Sequence, residues 1–175
     1  MQDHEVIASE EEDPVESDRN LLDRIRAKRL ELSERRSTYI TVPGYEEIGL
    51  VVQYHLLDGK ELDRIAEKVK RQMRDRVDRG LNAAADTLIA ACDGFFLDKG
   101  SSEYAPFDPG NRGAPLRYEK ELAEFLGVEE VATARDVVFM IFADNDVALA
   151  NHAMKLNRWF TNTSRDADEE FLGEA

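Results

Sequence analysis

A strong helix signal lies at residues 58–79, which read DGKELDRIAEKVKRQMRDRVDR. The Asp58 side chain can accept a hydrogen bond from the backbone N–H of Glu61, and the Glu61 carboxylate can reach back to the N–H of Asp58, which is the capping-box arrangement. The pattern predicts one helix over this segment, with a break at Gly80. Apolar residues behind the cap recur every three or four positions, as on the buried stripe of a helix; they are Leu62, Ile65, Ala66, Val69, Met73 and Val77.

Two segments upstream of this helix alternate in a two-residue rhythm that is typical of half-buried strands. They are STYITV (37–42) and EIGLVVQYHLL (47–57). Pro43-Gly44 between them supplies a fixed φ followed by a permissive one, so we predict a β-hairpin. Ahead of this hairpin, apolar residues at three- and four-residue steps predict a charged helix over 20–36.

Downstream of Gly80 the helical signals continue with one interruption. Residues 81–92 (LNAAADTLIAAC) predict a helix of small residues, and 98–114 is rich in Gly, Pro, Ser and Asp. The short apolar runs GFFL (94–97) and PLRY (115–118) flank that segment and predict a small second hairpin or a long exposed loop. Further helices are predicted over 118–126, over 134–143 behind a capping box at Thr133, from Asp146 to Phe160, and behind Thr163 through Leu172.

The fold class that these signals predict is α+β and mainly α-helical, a helical bundle with one or two small β-hairpins. The total charge of −14 is concentrated at the two ends, since residues 1–19 carry eight acids and one base and residues 164–175 carry five acids and one base. We expect a disordered acidic tail at 1–19, because such a run cannot offset its ordering entropy. A globular, mainly helical domain at 20–163 and an acidic C-terminal helix or tail at 164–175 complete the predicted organisation.

The composition argues against several classes of function. With 37 acids against 23 bases, the chain lacks the basic excess with which a nucleic-acid binder displaces counterions from phosphates. No apolar run approaches the roughly 20 residues of a membrane span, and the acidic start does not resemble a signal peptide. The single cysteine, Cys92, cannot form an intramolecular disulfide, which is typical of a reducing cytoplasm. We therefore predict a cytoplasmic protein that binds neither nucleic acid nor membranes.

Motifs for catalysis are not evident. His4, His55 and His152 are scattered and lack further ligands at metal-binding spacing, and Cys92 follows two alanines, as a small buried thiol does. The flexible turn Gly110–Gly113 could hold an anion through its backbone N–H groups. Because no phosphate-binding loop or nucleophile elbow occurs, we predict a protein that is not an enzyme and that uses no cofactor and no metal.

The best candidates for partner binding lie near the C-terminus. Trp159 and Phe160 precede the polar run Thr161–Thr163, and Phe171 and Leu172 stand among acids. Aromatic anchors ringed by polar residues are typical of interface hot spots. The alternative is that these residues pack back on the body as a closing helix.

Several motifs taken together resemble a family, the small cytoplasmic tail assembly chaperones of long-tailed, siphovirus-like bacteriophages that infect actinobacteria. The resemblance covers residues 20–175, and each motif by itself also has a capping or packing explanation. The matching segments are VPGY (42–45), CDGFF (92–96), LAEFLGV (122–128), TAR (133–135), NDVAL (145–149), and RW (158–159) leading to EEFLGE (169–174).

The resemblance implies a non-catalytic protein that acts in the host cytoplasm and is absent from the mature virion. Its partners would be the tape measure protein and the tail tube protein, which such chaperones keep soluble until the tube polymerises around the tape. Members of the family are often made in two lengths by a ribosomal frameshift, in which case Ala175 would end the shorter form. Formation of a homo-oligomer stays open.

Two other classes stay open beside this reading. A structural virion component such as a head–tail adaptor would be present in the particle in stoichiometric rings. An acidic DNA mimic that inhibits a host nuclease would need carboxylates spaced like phosphates on a folded surface. Most of the excess acid here lies instead at the two ends of the chain.

Overall fold

The computed structural model describes residues 22–24, 26–27, 36–73, 75–128 and 133–173, with side chains described as far as residue 165. The chain divides into two units, Met1–Arg35 and Arg36–Ala175. The described residues of the first unit, 22–24 and 26–27, are helical, as the sequence predicts, and Arg26 donates a hydrogen bond to Asp23 at 3.2 Å. The predicted acidic tail at 1–19 lies outside the described residues.

In its described residues, the second unit contains four strands and five α-helices. The strands form one antiparallel sheet in the order β1-β2-β3-β4, so each strand pairs with the next one along the chain. The elements are β1 (Ser37–Thr41), a 3-10 turn (Glu46–Ile48), β2 (Leu50–His55), α1 (Gly59–Gln72), α2 (Arg76–Ala91), β3 (Cys92–Asp98), β4 (Tyr104–Pro106), α3 (Lys120–Phe125), α4 (Ala134–Ile141) and α5 (Asp146–Gly173).

The predicted fold class, a helical bundle with one or two small hairpins, is wrong. The β1–β2 hairpin forms as predicted, but β3 joins the same sheet by pairing with β2 rather than with residues 115–118. The physical reason lies in β2, where Leu50, Val51 and Val52 are all buried. A strand buried in this way requires partners along both of its edges. The chain supplies the second partner after two helices, so the sheet is central to the fold.

A bulge in the β2–β3 pairing sets which side chains enter the core. Val52 pairs with Phe95, but Tyr54 pairs with Cys92, so Asp93 is left over between them. An extra residue of this kind bends a strand and re-aims the side chains on either side of it. Phe95, Cys92 and Tyr54 are consequently all buried.

Helix α1 begins as predicted and ends earlier than predicted. Asp58 accepts a hydrogen bond from the Glu61 N–H at 2.8 Å, and the Glu61 carboxylate accepts one from the Asp58 N–H at 3.0 Å. The first helix ends at Gln72 and the next begins at Arg76, ahead of Gly80, because the Asp75 side chain accepts hydrogen bonds from the N–H groups of Val77 and Asp78 and so caps a new helix. Gly80 is therefore inside α2, and the break predicted there is wrong.

Helix α2 is the central helix of the unit and packs against α1, α4, α5 and β2. Ala85, Leu88 and Ala91 along one side of it are fully buried, and the small size of the two alanines lets the neighbouring elements approach closely. The helix leads directly into β3 at Cys92. The predicted small-residue helix at 81–92 is thus confirmed in kind, as the second half of a longer helix.

Residues 107–118 cross β3 at Gly94, where no side chain fits. A Cβ atom on Gly94 would lie 2.5 Å from Cγ of Pro115, and the residue has a φ of +155°. The Phe95 N–H donates to the Leu116 carbonyl at 2.8 Å, and the Leu116 N–H donates to the Phe107 carbonyl at 3.0 Å. Residues 115–118 are therefore a strap over the sheet and not a strand. The second hairpin, one of the two predicted alternatives, forms instead between β3 and β4.

The last two helices agree with the sequence at their starts. Thr133 and Asp136 form the predicted capping box of α4, and the Asn145 side chain accepts a hydrogen bond from the Ala148 N–H at the start of α5. Helix α5 then continues unbroken from Asp146 to Gly173. The separate short helix predicted behind Thr163 is wrong, because the preceding turn satisfies the backbone N–H groups that a cap would have to serve.

Candidate functional site

An open apolar groove lies between α2 and α5. Its volume is about 450 Å³, and the side chains of Val77 and Met154, which are 67% and 49% exposed, stand beside it. Exposed apolar residues grouped in this way mark sites that bind other molecules. Small residues line much of the groove; they are Gly80, Ala83, Ala84, Ala150 and Ala153.

Gly80 leaves the groove open at the middle of α2. Glycine inside a helix costs about 1 kcal/mol relative to alanine. A Cβ atom at this position would meet nothing within 4 Å, so packing within the unit does not require glycine here. What the glycine provides is access to the helix backbone from outside.

A second hollow, of about 740 Å³, adjoins the first along α5. It is lined by the start of α5 and by the connection between β1 and β2, and Met154 lines both hollows. Val147, which is 69% exposed, also lines it, as do Lys155, Arg158 and Glu46. The outer face of α5 therefore carries exposed apolar residues with cations beside them.

The charge along α5 is arranged in blocks. From Val147 to Arg165 the helix contains Lys155, Arg158 and Arg165 and no acid at all. From Asp166 onward it contains acids and no base. In a chain with a net charge of −14, the part of α5 that lines the grooves is thus locally positive.

The opposite face of α5 takes part in a buried polar network. The hydroxyl oxygens of Tyr54 and Tyr118 lie 2.7 Å apart, and Nε2 of His152 lies 2.9 Å from the Tyr54 hydroxyl. All three side chains are almost completely buried. The network joins β2, the strap over the sheet and α5 at one point.

Burial keeps every member of this network neutral. It lowers the pKa of His152 to about 4, with the charge of Lys155 acting in the same direction and the Thr41 backbone opposing. Burial also raises the pKa of Tyr54 and Tyr118, and it raises that of the neighbouring Cys92 to about 12. Near pH 7 the network therefore holds no thiolate and no imidazolium. The network is suited to holding β2, the strap and α5 together by hydrogen bonds.

A second polar cluster fixes α4 to α1 and α2. The buried Asp86 carboxylate accepts two hydrogen bonds from Arg135, at 2.5 Å and 2.7 Å, and one from Lys68 at 3.1 Å. Burial by itself would raise the pKa of Asp86, but the hydrogen bonds from Arg135 and Lys68 outweigh it and lower that pKa. The bidentate geometry accounts for the strength of the Arg135 pair.

Other residues that the sequence analysis considered lie in separate places. Nδ1 of His55 is 2.9 Å from the Asp93 carboxylate at the β2–β3 bulge. In the turn Gly110–Gly113, the N–H groups of Arg112 and Gly113 donate to the side chain of Asp108, so a carboxylate of the protein itself takes the place of the anion that this turn could hold. In the described part of the chain, no three His, Cys, Asp or Glu side chains are grouped as metal ligands.

The four predicted partner-binding residues are divided between core and helix end. Phe160 is 5% exposed and belongs to the core, and Trp159 packs half-buried against that core with its ring 5.5 Å from the Phe160 ring. Phe171 and Leu172 lie on the last turns of α5, where side chains are outside the described residues. The structure thus places Phe160 in the core and Trp159 at its edge, and the prediction for Phe171 and Leu172 lies outside the described side chains.

Sequence reasoning missed Val77, Met154 and Val147. Val77 continues the apolar stripe of α1 in sequence, but the new cap at Asp75 turns it outward. The signal that could have revealed the exposed apolar face of α5 is the spacing of its apolar residues. Val147 and Met154 fall seven residues apart, on the face opposite Leu149 and Leu156. Apolar residues on both faces of one helix indicate a helix with more than one contact.

Comparisons of this chain with protein-family models, with curated proteins and with solved structures give no match. Within the described residues, every helix lacks either the length or the apolar character that crossing a membrane requires.

Proposed function

We propose that this protein is a non-catalytic tail assembly chaperone of a long-tailed bacteriophage, which binds the tape measure protein, the tail tube protein or both while the tail is built. The observation that supports the proposal best is the open groove between α2 and α5. The sequence resemblance described above points to the same class. The place of action would be the host cytoplasm, and the protein would be absent from the mature virion.

The groove is suited to a helix that presents an apolar stripe. Helix-in-groove recognition uses anchors at three- and four-residue spacing that enter a hollow between the receptor's own helices. Gly80 and the alanines let such an anchor come close to the backbones of α2 and α5. Val77 and Met154 would cover its sides. A tape measure protein is a long helical chain that exposes this kind of stripe before the tube encloses it.

The energetic gain would come from removing apolar surface from water on both partners. Burial contributes about 25 cal/mol per Å², so each large anchor side chain adds roughly 1.5–3 kcal/mol before the cost of association. Several anchors spaced along one helix are therefore needed for stable binding. A long partner with a repeating apolar stripe meets that requirement.

The test is co-expression with the tape measure protein and the tail tube protein encoded in the same genome. The wild-type chain should keep at least one of them in the soluble fraction and elute with it in size-exclusion chromatography. Gly80→Trp should fill the groove and abolish the complex, since nothing within 4 Å opposes a side chain there. Gly59→Trp is the matched control, because Gly59 is also an unobstructed helical glycine and lies on α1, away from the groove.

Two results would overturn the proposal. One is the absence of any complex with either tail protein, together with no gain in their solubility. The other is a complex that Gly80→Trp leaves intact. Mass spectrometry of purified particles provides a further check, because stoichiometric amounts of this chain in the virion would favour a head–tail adaptor.

A further inference from the structure

The second hollow presents two cations that the described part of the chain leaves without an ion pair. Lys155 and Arg158 line this hollow, and both side chains are exposed. Among the described residues, neither of them forms a salt bridge with a carboxylate. Both cations are therefore available to a negatively charged group of another molecule.

The charges that line the second hollow favour an acidic occupant. Besides the two cations it has one carboxylate, Glu46, which comes from the connection between β1 and β2. Burial lowers the pKa of His152 to about 4, so this residue adds no charge near pH 7. The lining is thus positive in a chain whose net charge is −14. A locally positive hollow of this kind attracts acidic groups.

The two cations are placed beside the groove between α2 and α5. Met154 lines both the groove and the second hollow. Arg158 stands four residues after Met154 and so lies one turn further along the same side of α5. Lys155 and Arg158 are about 4.5 Å apart along the helix axis at 1.5 Å per residue. A helix that lies in the groove and contacts Met154 consequently has one flank facing these cations.

We infer that the partner helix that fills the groove carries two acidic residues, three or four positions apart, beside its apolar stripe, and that Lys155 and Arg158 bind them. This inference rests on the proposed function and specifies the partner at the same site. Residues three or four positions apart are neighbours on a helix surface, so such acids match the spacing of the two cations. Charge complementarity thus selects the acidic flank over a basic or an uncharged one.

The groove and the cations would contribute differently to binding. Burial of the apolar stripe supplies most of the stability of the complex. Exposed ion pairs add less, but they speed association and disfavour partners with the wrong charge. On a long helical partner with several apolar stretches, the acidic pair would therefore decide which stretch is bound.

The test measures binding of the full chain, at low and high salt, to the tail protein that elutes with it. The double variant Lys155→Glu, Arg158→Glu should bind about tenfold more weakly at low salt, and salt should no longer weaken its binding. Lys155→Gln, Arg158→Gln should lie between this variant and the wild type. The matched control is Lys60→Glu, Arg64→Glu, which changes the net charge equally at two exposed cations of α1.

A change of the opposite sign sharpens the test. Glu46→Gln removes the one carboxylate from the lining of the hollow, so the partner should associate faster and bind about twofold more tightly. Slower association in this variant would contradict an acidic flank on the partner.

The outcomes separate this inference from the proposed function. A complex that Gly80→Trp abolishes, but that binds equally well with Lys155→Glu, Arg158→Glu and with the control variant, would overturn this inference and leave the chaperone proposal standing. Tighter binding by the reversed variant would do the same, because it would indicate a basic flank. The absence of any complex with either tail protein would overturn the proposed function and this inference with it.

Discussion

The two faces of α5 have opposite properties within one helix. On the inner face, Leu149, His152 and Leu156 are fully buried, and the histidine is hydrogen-bonded to Tyr54. On the outer face, Val147 and Met154 are exposed beside open grooves. The inner face fixes the helix to the sheet, and the outer face has no such task in the described unit. The apolar residues of the outer face are therefore not needed to hold the described unit together, and the proposed function assigns them to binding.

The largest expected difference between the two faces of α5 is in how much stability is lost when an apolar side chain is shortened to alanine. Leu156→Ala should reduce the free energy of unfolding by about 2–5 kcal/mol, because it leaves a cavity in the core. Met154→Ala should change that free energy by no more than about 0.5 kcal/mol, because its side chain is half exposed. Denaturant unfolding of both variants measures this. A loss at Met154 as large as that at Leu156 would show that the outer face belongs to the core.

The polar network on the inner face gives the next largest effect. Tyr54→Phe leaves the Tyr118 hydroxyl and Nε2 of His152 without their shared partner and should cost about 1–3 kcal/mol of unfolding free energy. Tyr104→Phe is the control, since Tyr104 is a half-buried tyrosine stacked on Tyr39 at the sheet edge. Equal losses in the two variants would contradict a special role for the network.

The pH dependence of stability tests the same network. The pKa of His152 is about 4 in the folded protein and near 6.5 in the unfolded chain, so between these values the unfolded chain binds the proton and the folded protein does not. Stability should therefore fall as the pH is lowered from 6.5 towards 4, by on the order of 1 kcal/mol per pH unit.

His152→Gln should remove most of that slope, whereas His55→Gln, at the half-buried pair with Asp93, should retain it. Thermal unfolding at several pH values measures the slope for each variant. An unchanged slope in His152→Gln would mean that other groups are responsible for it.

The smallest expected effect is a gain in stability from a substitution at Gly80, in the groove between α2 and α5. Gly80→Ala should raise the free energy of unfolding by about 0.5–1 kcal/mol, because alanine is the better helix former and has free space here. Denaturant unfolding again provides the measurement. A destabilised variant would mean that the groove is filled by the protein's own residues.

The features that the sequence predicts correctly are those set by neighbouring residues. The capping boxes at Asp58 and Thr133 and the hairpin at Pro43-Gly44 each depend on contacts within a few positions, and all three are present. The helix at 81–92 follows from composition and is confirmed as part of α2.

The features that escaped prediction depend on distant residues. The pairing of β2 with β3 joins segments about 40 residues apart, and the alternation within each strand is compatible with more than one partner. The groove depends on how α2 and α5 pack, which no local pattern contains. Phe160 resembles a binding anchor in sequence because the neighbouring residues do not reveal its burial. That burial comes from the sheet and helices that pack around it.

The most direct test of the central claim is photo-crosslinking from the outer face of α5. A benzophenone amino acid at position 154 is introduced into the chain and expressed with the tape measure and tail tube proteins of the same genome. The account predicts that light links position 154 to one of these proteins, and that the same group at the exposed position Glu103 does not form this link. A link to neither tail protein from position 154, or equal linking from both positions, would contradict the account.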